Sequence, residues 1–283
     1  MKNFFSFLLL SACCVFVLRA QVPTSLGVQL YTFRNEEKAD LPGMLKMVKG
    51  MGIQSVETGL LRNKTAEESK KMLDEYGLKA VSTSASYKEL SDPTKLSTII
   101  QNAKILGSEF VMCAWIDHDG DKFTIEDMKK ATEVFNSAGK VFSKAGLSLL
   151  YHPHGFEFRP YEDGVLLDYL IKNTNPKYFN LEMDIYWVKN PGQDPVAWLK
   201  KYPTRWKTLH VKDQKKGTPG NENGHSDVEW NMVVGEGNQD MPAVMAQAKK
   251  IGIKYYFIED ESSRSVEQTP KSIAYLTPFL VKK

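Results

Sequence analysis

Eight short runs of apolar and β-branched residues recur along the chain: LGVQLYTF (26–33), IQSVET (53–58), LKAVSTS (78–84), SEFVMCAW (108–115), LSLLYHPH (147–154), YFNLEMDIYW (178–187), WKTLHVKD (206–213) and KYYFIEDE (254–261). Each has the length of a strand. Many are nearly continuous in apolar residues, which predicts parallel strands covered on both faces. Between them the apolar positions fall at spacings of three and four, predicting helices over 41–52, 66–77, 93–107, 124–146, 165–173, 195–202, 241–252 and 265–280. Gly52, Gly77, Gly107, Gly146 and Gly252 stand where a helix hands over to the next strand. Eight alternating strand–helix units predict a closed (β/α)8 barrel in a single domain, since such barrels take about 250 residues. A doubly wound open sheet is the competing arrangement, and no G-x-G-x-x-G follows the first strand to support it. The longest irregular stretch, 214–240, follows the seventh strand and has the length of a lid or binding loop.

The first twenty residues break this rhythm. Lys2 precedes the run FFSFLLLSACCVFVL, and Leu18-Arg19-Ala20 follows. This is the pattern of a secretory signal peptide over 1–20, cleaved after Ala20, which would leave 21–283 as the barrel and place it in the periplasm. Leu10-Ser11-Ala12-Cys13 offers the alternative of a lipoprotein anchored at Cys13. The run is shorter than the ~20 residues of a membrane span, so stable membrane insertion is not expected. Removing Lys2 and Arg19 lowers the net charge of +3 to +1, which is no footprint for nucleic acid. Of the three cysteines, only Cys113 lies in the barrel, so no internal disulfide is expected there.

Barrel enzymes work at the C-terminal ends of their strands. Here those ends carry Glu57, His152 and His154, Asp184, His210 with Lys212, and Glu259 with Glu261. His152, Asp184, His210 and Glu259 come from four successive strands that closure turns toward one another. So many buried polar groups are costly unless something binds them. A divalent metal ion does so, and the His and carboxylate mixture suits Mn, Zn, Fe or Co. Glu57, Trp115, Trp187 and His225 are candidates for contact with substrate. Glu157 and Arg159 read as a structural pair, and the GEG at 235–237 as a tight turn.

The motifs YHPHGFEF (151–158), LEMDIYW (181–187), LHVKD (209–213), VVGEG (233–237) and YYFIEDE (255–261) resemble the xylose isomerase-like TIM-barrel superfamily. That group holds sugar isomerases and epimerases, inosose dehydratase and endonuclease IV. The resemblance runs from about Gly27 to Leu280. It implies metal ligands at Asp184, His210 and Glu259, with manganese the preferred ion. It also implies a carbohydrate substrate and allows a homodimer. On the fifth strand His152 stands where the family's epimerases carry a glutamate, so only Glu259 remains of their paired acid and base.

The resulting expectation is a metal-dependent enzyme of the sugar isomerase/epimerase type that removes a proton α to a carbonyl, with Glu259, His154 or Lys212 as the base. With one glutamate gone, a lyase or dehydratase is the alternative, expelling a β-leaving group from a keto-sugar such as a 3-keto-glycoside. A nuclease reading is opposed by the leader and the near-neutral charge. A non-catalytic sugar-binding barrel is the remaining alternative, because a fold does not fix a function.

Overall fold

The computed structural model describes residues 21–281, so the expected leader with Cys13 and Ala20 lies outside the described residues. Eight parallel strands close into a barrel. They are β1 (Leu26–Gln29), β2 (Ser55–Glu57), β3 (Lys79–Ser84), β4 (Phe110–Cys113), β5 (Ser148–Tyr151), β6 (Phe179–Asp184), β7 (Trp206–Val211) and β8 (Tyr255–Ile258). Each pairs with its neighbours in chain order, and β1 meets β8 with Leu26 opposite Tyr256 and Val28 opposite Ile258. All eight expected strands are present, although the hydrogen-bonded ladder stops short of the apolar run in most of them. The reason is local. Immediately after β1, Leu30–Phe33 turns into a 3-10 helix, and after β6 the chain enters the short helix Ile185–Lys189.

The five handover glycines all adopt positive φ, between +64° and +85°, a conformation that costs a side-chain-bearing residue energy. Helices Ala66–Glu75 and Ile125–Lys144 start at Thr65 and Thr124, whose hydroxyls accept from the Glu68 and Asp127 backbone N–H while those carboxylates accept from the capping residues in return.

The main core lies between barrel and helices, as with Phe135 of Ile125–Lys144 stacked on Phe179 of β6 at 4.8 Å. The other face of each strand fills the barrel. Phe110 of β4 meets Tyr255 of β8 at 6.3 Å although the two strands are not neighbours, so both rings point inside. Gly27 on β1 makes room for this filling: a Cβ there would lie 2.6 Å from the Ser55 carbonyl oxygen and 2.9 Å from the Phe257 ring. Counting by twos from these residues puts Asn180, Glu182 and Asp184, Thr208 and His210, and Phe257 and Glu259 on inward-facing positions. The barrel interior is thus apolar at its floor and densely polar toward the C-terminal ends of its strands.

Candidate metal centre

Asp184 is the last residue of β6 and caps the helix Ile185–Lys189. Its Oδ1 accepts from the backbone N–H of Tyr186 at 2.7 Å and of Trp187 at 3.2 Å. The cap fixes the carboxylate and leaves Oδ2 facing the barrel axis. There it lies 3.6 Å from His152 Nε2 and 3.9 Å from His210 Nδ1. Glu259 Oε2 lies 3.4 Å from His210 Nδ1. His152 Nε2, Asp184 Oδ2 and His210 Nδ1 are buried and none has a hydrogen-bond partner. Three unsatisfied ligand atoms that face one another are the arrangement a cation resolves. A tetrahedral ion with bonds of about 2.1 Å spaces its ligands by about 3.4 Å, close to the separations found. His152, Asp184 and His210 therefore can hold a divalent metal, with Glu259 beside them.

A second ring of groups stands behind the histidines. Glu182 Oε1 lies 3.2 Å from His152 Nδ1 and 3.1 Å from His210 Nε2, and its Oε2 accepts from the Thr208 hydroxyl at 2.5 Å. Glu57 Oε1 lies 2.7 Å from His210 Nε2 and accepts from the Gln29 amide at 2.8 Å. With these carboxylates taking the outer N–H of each ring, it is the inner nitrogens, His152 Nε2 and His210 Nδ1, that face Asp184 Oδ2. Glu57, Glu182 and His210 also cluster tightly enough to bind an ion. On that side, however, Glu57 Oε1 and Glu182 Oε1 already face N–H donors, so the Asp184 side is the better ligand pocket.

The charges describe the same deficit. Burial pushes the Glu57 carboxyl up, and the nearby Glu182 charge adds to this. Burial does the same to Asp184. Glu182 is held far down against its burial by His210 and His152. Burial opposes a proton on His210, but Glu182, Glu259 and Glu57 outweigh it and hold that imidazole well above its ordinary range. Burial also opposes the Lys212 charge, yet Glu259 and Glu261 raise it further still.

Above the centre lies a cavity of about 410 Å³ whose wall includes His152, His154, His210, Glu259 and Glu261. His154 Nδ1 lies 3.3 Å from the His152 carbonyl oxygen, which leaves Nε2 as the proton acceptor. Burial, then His152, hold its imidazole well below the ordinary range, so the ring is neutral.

The other expected site residues fall elsewhere. Glu57 is fully buried and faces His210, not the cavity where contact with substrate was expected. Lys212 is buried between Glu259, at 3.1 Å, and Glu261, and both carboxylates keep its ammonium charged, which removes it as a base. Asp213 does not pair with it. That carboxylate instead accepts the backbone N–H groups of Gln214, Gly235, Gly237 and Gln239, which is what the GEG turn is for. Trp187 is buried beside His154 at 5.3 Å. Trp115 borders a neighbouring groove and packs on His118, Phe156 and the exposed His225. Glu157 and Arg159 do not pair: Glu157 accepts from Tyr151 and from the His154 and Gly155 backbone, and Arg159 donates to the carbonyls of Asp121, Phe123 and Glu222. Glu182, Gln29 and Thr208 were missed by sequence reasoning. The signal was available, because Glu182 and Thr208 stand two residues before Asp184 and His210 on the same strand faces.

The sequence model of the family described as Xylose isomerase-like TIM barrel matches residues 45–279. An inosose dehydratase of Clostridium tetani is 32% identical over 92 residues, 32% of this chain and 30% of that protein. The match thus spans under a third of the length of that curated relative. Among solved structures, a sugar phosphate isomerase/epimerase from Parabacteroides distasonis superposes with a TM-score of 0.76 at 24% identity, over 94% of this chain and 100% of that one. The IolI protein, solved with a bound zinc atom, superposes with a TM-score of 0.66 at 14% identity over 90% of this chain and 95% of that one. No described helix is long and apolar enough to cross a membrane.

Proposed function

Because the chain belongs to the xylose isomerase-like TIM-barrel family, we propose that it is a divalent-metal-dependent enzyme that removes a proton next to a carbonyl of a sugar or cyclitol. One observation carries this reading: His152 Nε2, Asp184 Oδ2 and His210 Nδ1 are buried, unsatisfied and turned to one another beneath a cavity. His152, Asp184, His210 and Glu259 would hold the ion. The zinc of the IolI structure supports a metal in this fold, and Mn, Zn, Fe and Co all suit the donor set. When bound, the metal supplies Lewis-acid polarisation of the carbonyl.

His154 is the base this geometry favours. It lines the cavity, its Nδ1 is engaged with the His152 carbonyl, and its Nε2 is left to take the C–H proton. Lys212 holds Glu259 and Glu261 in place. With His152, just after β5, standing where a second glutamate would face Glu259, a symmetrical two-carboxylate relay has no second member. Elimination needs only one base. The C–H proton moves to His154 Nε2, the C–H electrons form the C=C bond, and the β-oxygen leaves with the C–O electron pair and takes that proton back from His154. The inosose dehydratase relatives favour this outcome. Isomerisation or epimerisation shares the first step and returns the proton to carbon, and the isomerase/epimerase neighbour keeps it as the second reading.

The test is elemental analysis of the full chain beside Asp184→Ala and His210→Ala, then incubation of the metal-loaded protein with keto-sugars in D2O. Near-stoichiometric metal, lost in both variants, with deuterium entering the carbon next to the carbonyl, is the expected result. A protein that takes up none of the four ions sinks the reading and leaves a sugar-binding barrel. Two products from one substrate mark a lyase, and conserved mass marks an isomerase.

A further inference from the structure

His154 rides on a loop that the barrel ladder does not hold. β5 ends at Tyr151, and the last backbone bond to β4 is the His152 N–H donating to the Cys113 carbonyl at 2.9 Å. Beyond it the chain leaves the sheet through Pro153, His154 and Gly155 before the 3-10 turn Phe156–Phe158. Gly155 takes a φ of +112°, a conformation that favours glycine. Such a segment keeps one conformation only where its N–H groups find partners.

One side chain supplies them. Glu157 is fully buried. Its Oε1 accepts from the Tyr151 hydroxyl and from the His154 N–H at 3.1 Å. Its Oε2 accepts from the same His154 N–H at 3.1 Å and from the Gly155 N–H at 2.8 Å. Among the described residues no other acceptor serves these two N–H groups. The donors to Glu157 are a phenol and two amides, with no lysine, arginine or histidine side chain among them. A buried carboxylate without a counter-charge is costly, and two of the three donors that offset the cost are the backbone of His154 and its neighbour. His154 is thus fixed at two points, its N–H on Glu157 and its Nδ1 beside the His152 carbonyl oxygen at 3.3 Å. The rings of Trp115 and Trp187 flank it at 5.5 and 5.3 Å. His152 is held without Glu157, through Cys113 and Glu182.

Resting on the enzymatic reading above, we infer that Glu157 is a positioning residue that sets where His154 Nε2 stands, acting through the main chain, and that it has no share in holding the ion. A base works only within hydrogen-bond reach of the proton it takes, and a displacement of about 1 Å can cost about 100-fold in rate.

Glu157→Gln tests this with little change of shape. The His154 N–H lies between both carboxylate oxygens, so either orientation of the amide turns an N–H2 group against it. Tyr151→Phe is the milder variant, removing one donor and leaving both oxygens to the backbone. Each metal-loaded full chain is incubated in D2O with fructose, tagatose, sorbose, psicose and a keto-inositol, and deuterium entry next to the carbonyl is followed against probe concentration. Expected for Glu157→Gln is a fall of about ten-fold or more in the saturated rate, with metal content and KM unchanged and Tyr151→Phe in between. His154→Ala should lose about 100-fold or more. Adding Glu157→Gln to His154→Ala should then cost no more than about two-fold, because the group being positioned is gone. A merely structural carboxylate would cost the same in both backgrounds and would lower metal content with the rate, and either result overturns the inference. So does a Glu157→Gln protein that exchanges at the wild-type rate. Hydrogen exchange at the His154 and Gly155 amides reads the holding without turnover: both should be protected in wild type and exchange at least ten-fold faster in Glu157→Gln. Equal amide rates in the two proteins overturn the inference whether or not a probe reacts. Wild type that exchanges no probe while those amides stay protected sinks the enzymatic reading instead.

Discussion

Glu182 offers the sharpest test of how the site is built. One carboxylate oxygen lies within 3.2 Å of both histidines, and the other takes the Thr208 hydroxyl. Glu182→Gln keeps the shape: an amide oxygen still accepts from both rings, and its N–H2 still meets Thr208. What changes is one negative charge behind two ligands. Losing such a partner costs about 10–100-fold in metal affinity, or about 1.4–2.7 kcal/mol. The metal-free protein responds too. The Glu182 charge crowds Glu57, but His210 and His152 outweigh its burial and hold Glu182 far down, so losing the charge lowers metal-free stability at neutral pH as well. The assay is thermal unfolding with and without metal, beside competition against a chromophoric chelator. At a metal concentration 100 times the wild-type Kd, bound ion stabilises the native protein by about 2.7 kcal/mol. A ten-fold weaker variant retains about 1.4 kcal/mol, and a hundred-fold weaker one about 0.4. Glu182→Ala should bind metal no better than the glutamine variant and should also be less stable without it, because two ring N–H groups lose an acceptor. Unchanged metal affinity in both variants would refute the reasoning. So would a metal-free Glu182→Gln protein more stable than wild type, which would contradict the ion pairs that hold Glu182 down.

Three further outcomes follow from other parts of the molecule. Asp213→Ala should lower stability by about 3 kcal/mol or more by urea unfolding, because one buried carboxylate accepts four backbone N–H groups and each charge-assisted bond is worth about 1.5–3 kcal/mol; a loss under 1 kcal/mol would show that water replaces it. Asp168 is held below its ordinary pKa: burial opposes this, but Lys201 at 2.7 Å, Tyr202 and the Val165 N–H outweigh it. A depressed carboxyl contributes stability above its unfolded pKa of about 3.9 and loses it as pH falls through the lower folded value. Asp168→Asn should therefore cost stability at pH 7 and less at pH 2, and a penalty equal at both would contradict the ion pair. Burial pushes the Cys113 thiol up to about 12, so iodoacetamide at pH 8 should leave the Cys113 peptide unmodified in native protein and label it after unfolding.

Much of the architecture was legible because barrel strands and helices announce themselves by period. The eight apolar runs and the terminating glycines follow from burial on two faces and from left-handed turns, both local in sequence. That His152, Asp184, His210 and Glu259 come together was legible for the same reason, since strand ends are where closure gathers side chains. The partners behind them were not singled out. Glu182 sits in the middle of β6 among apolar neighbours, where a glutamate looks like an isolated oddity until Thr208 and two histidines from other strands are seen to satisfy it. Glu57 was placed at the right strand end with the wrong neighbour, because β2 is short and its last residue lies below the cavity. Lys212 reads in sequence as a candidate base or as the partner of the adjacent Asp213. Its two carboxylates lie 47 and 49 residues further along the chain, and only the adjacency of β7 and β8 brings them to it.

The pairing of β1 with β8 joins residues more than 220 positions apart, as with Leu26 and Tyr256. Contacts of such separation form late, because the chain must first give up the freedom of everything between them. Glu259 sits on the residue immediately after β8, so it reaches His210 only once the last strand is in place. A nascent chain halted anywhere before that strand lacks Glu259, and one halted before β7 lacks His210 as well. If His152, Asp184, His210 and Glu259 hold the ion as proposed, the complete ligand set exists only in the finished polypeptide, and in refolding experiments full-affinity ion uptake should not precede the closure of β8 onto β1.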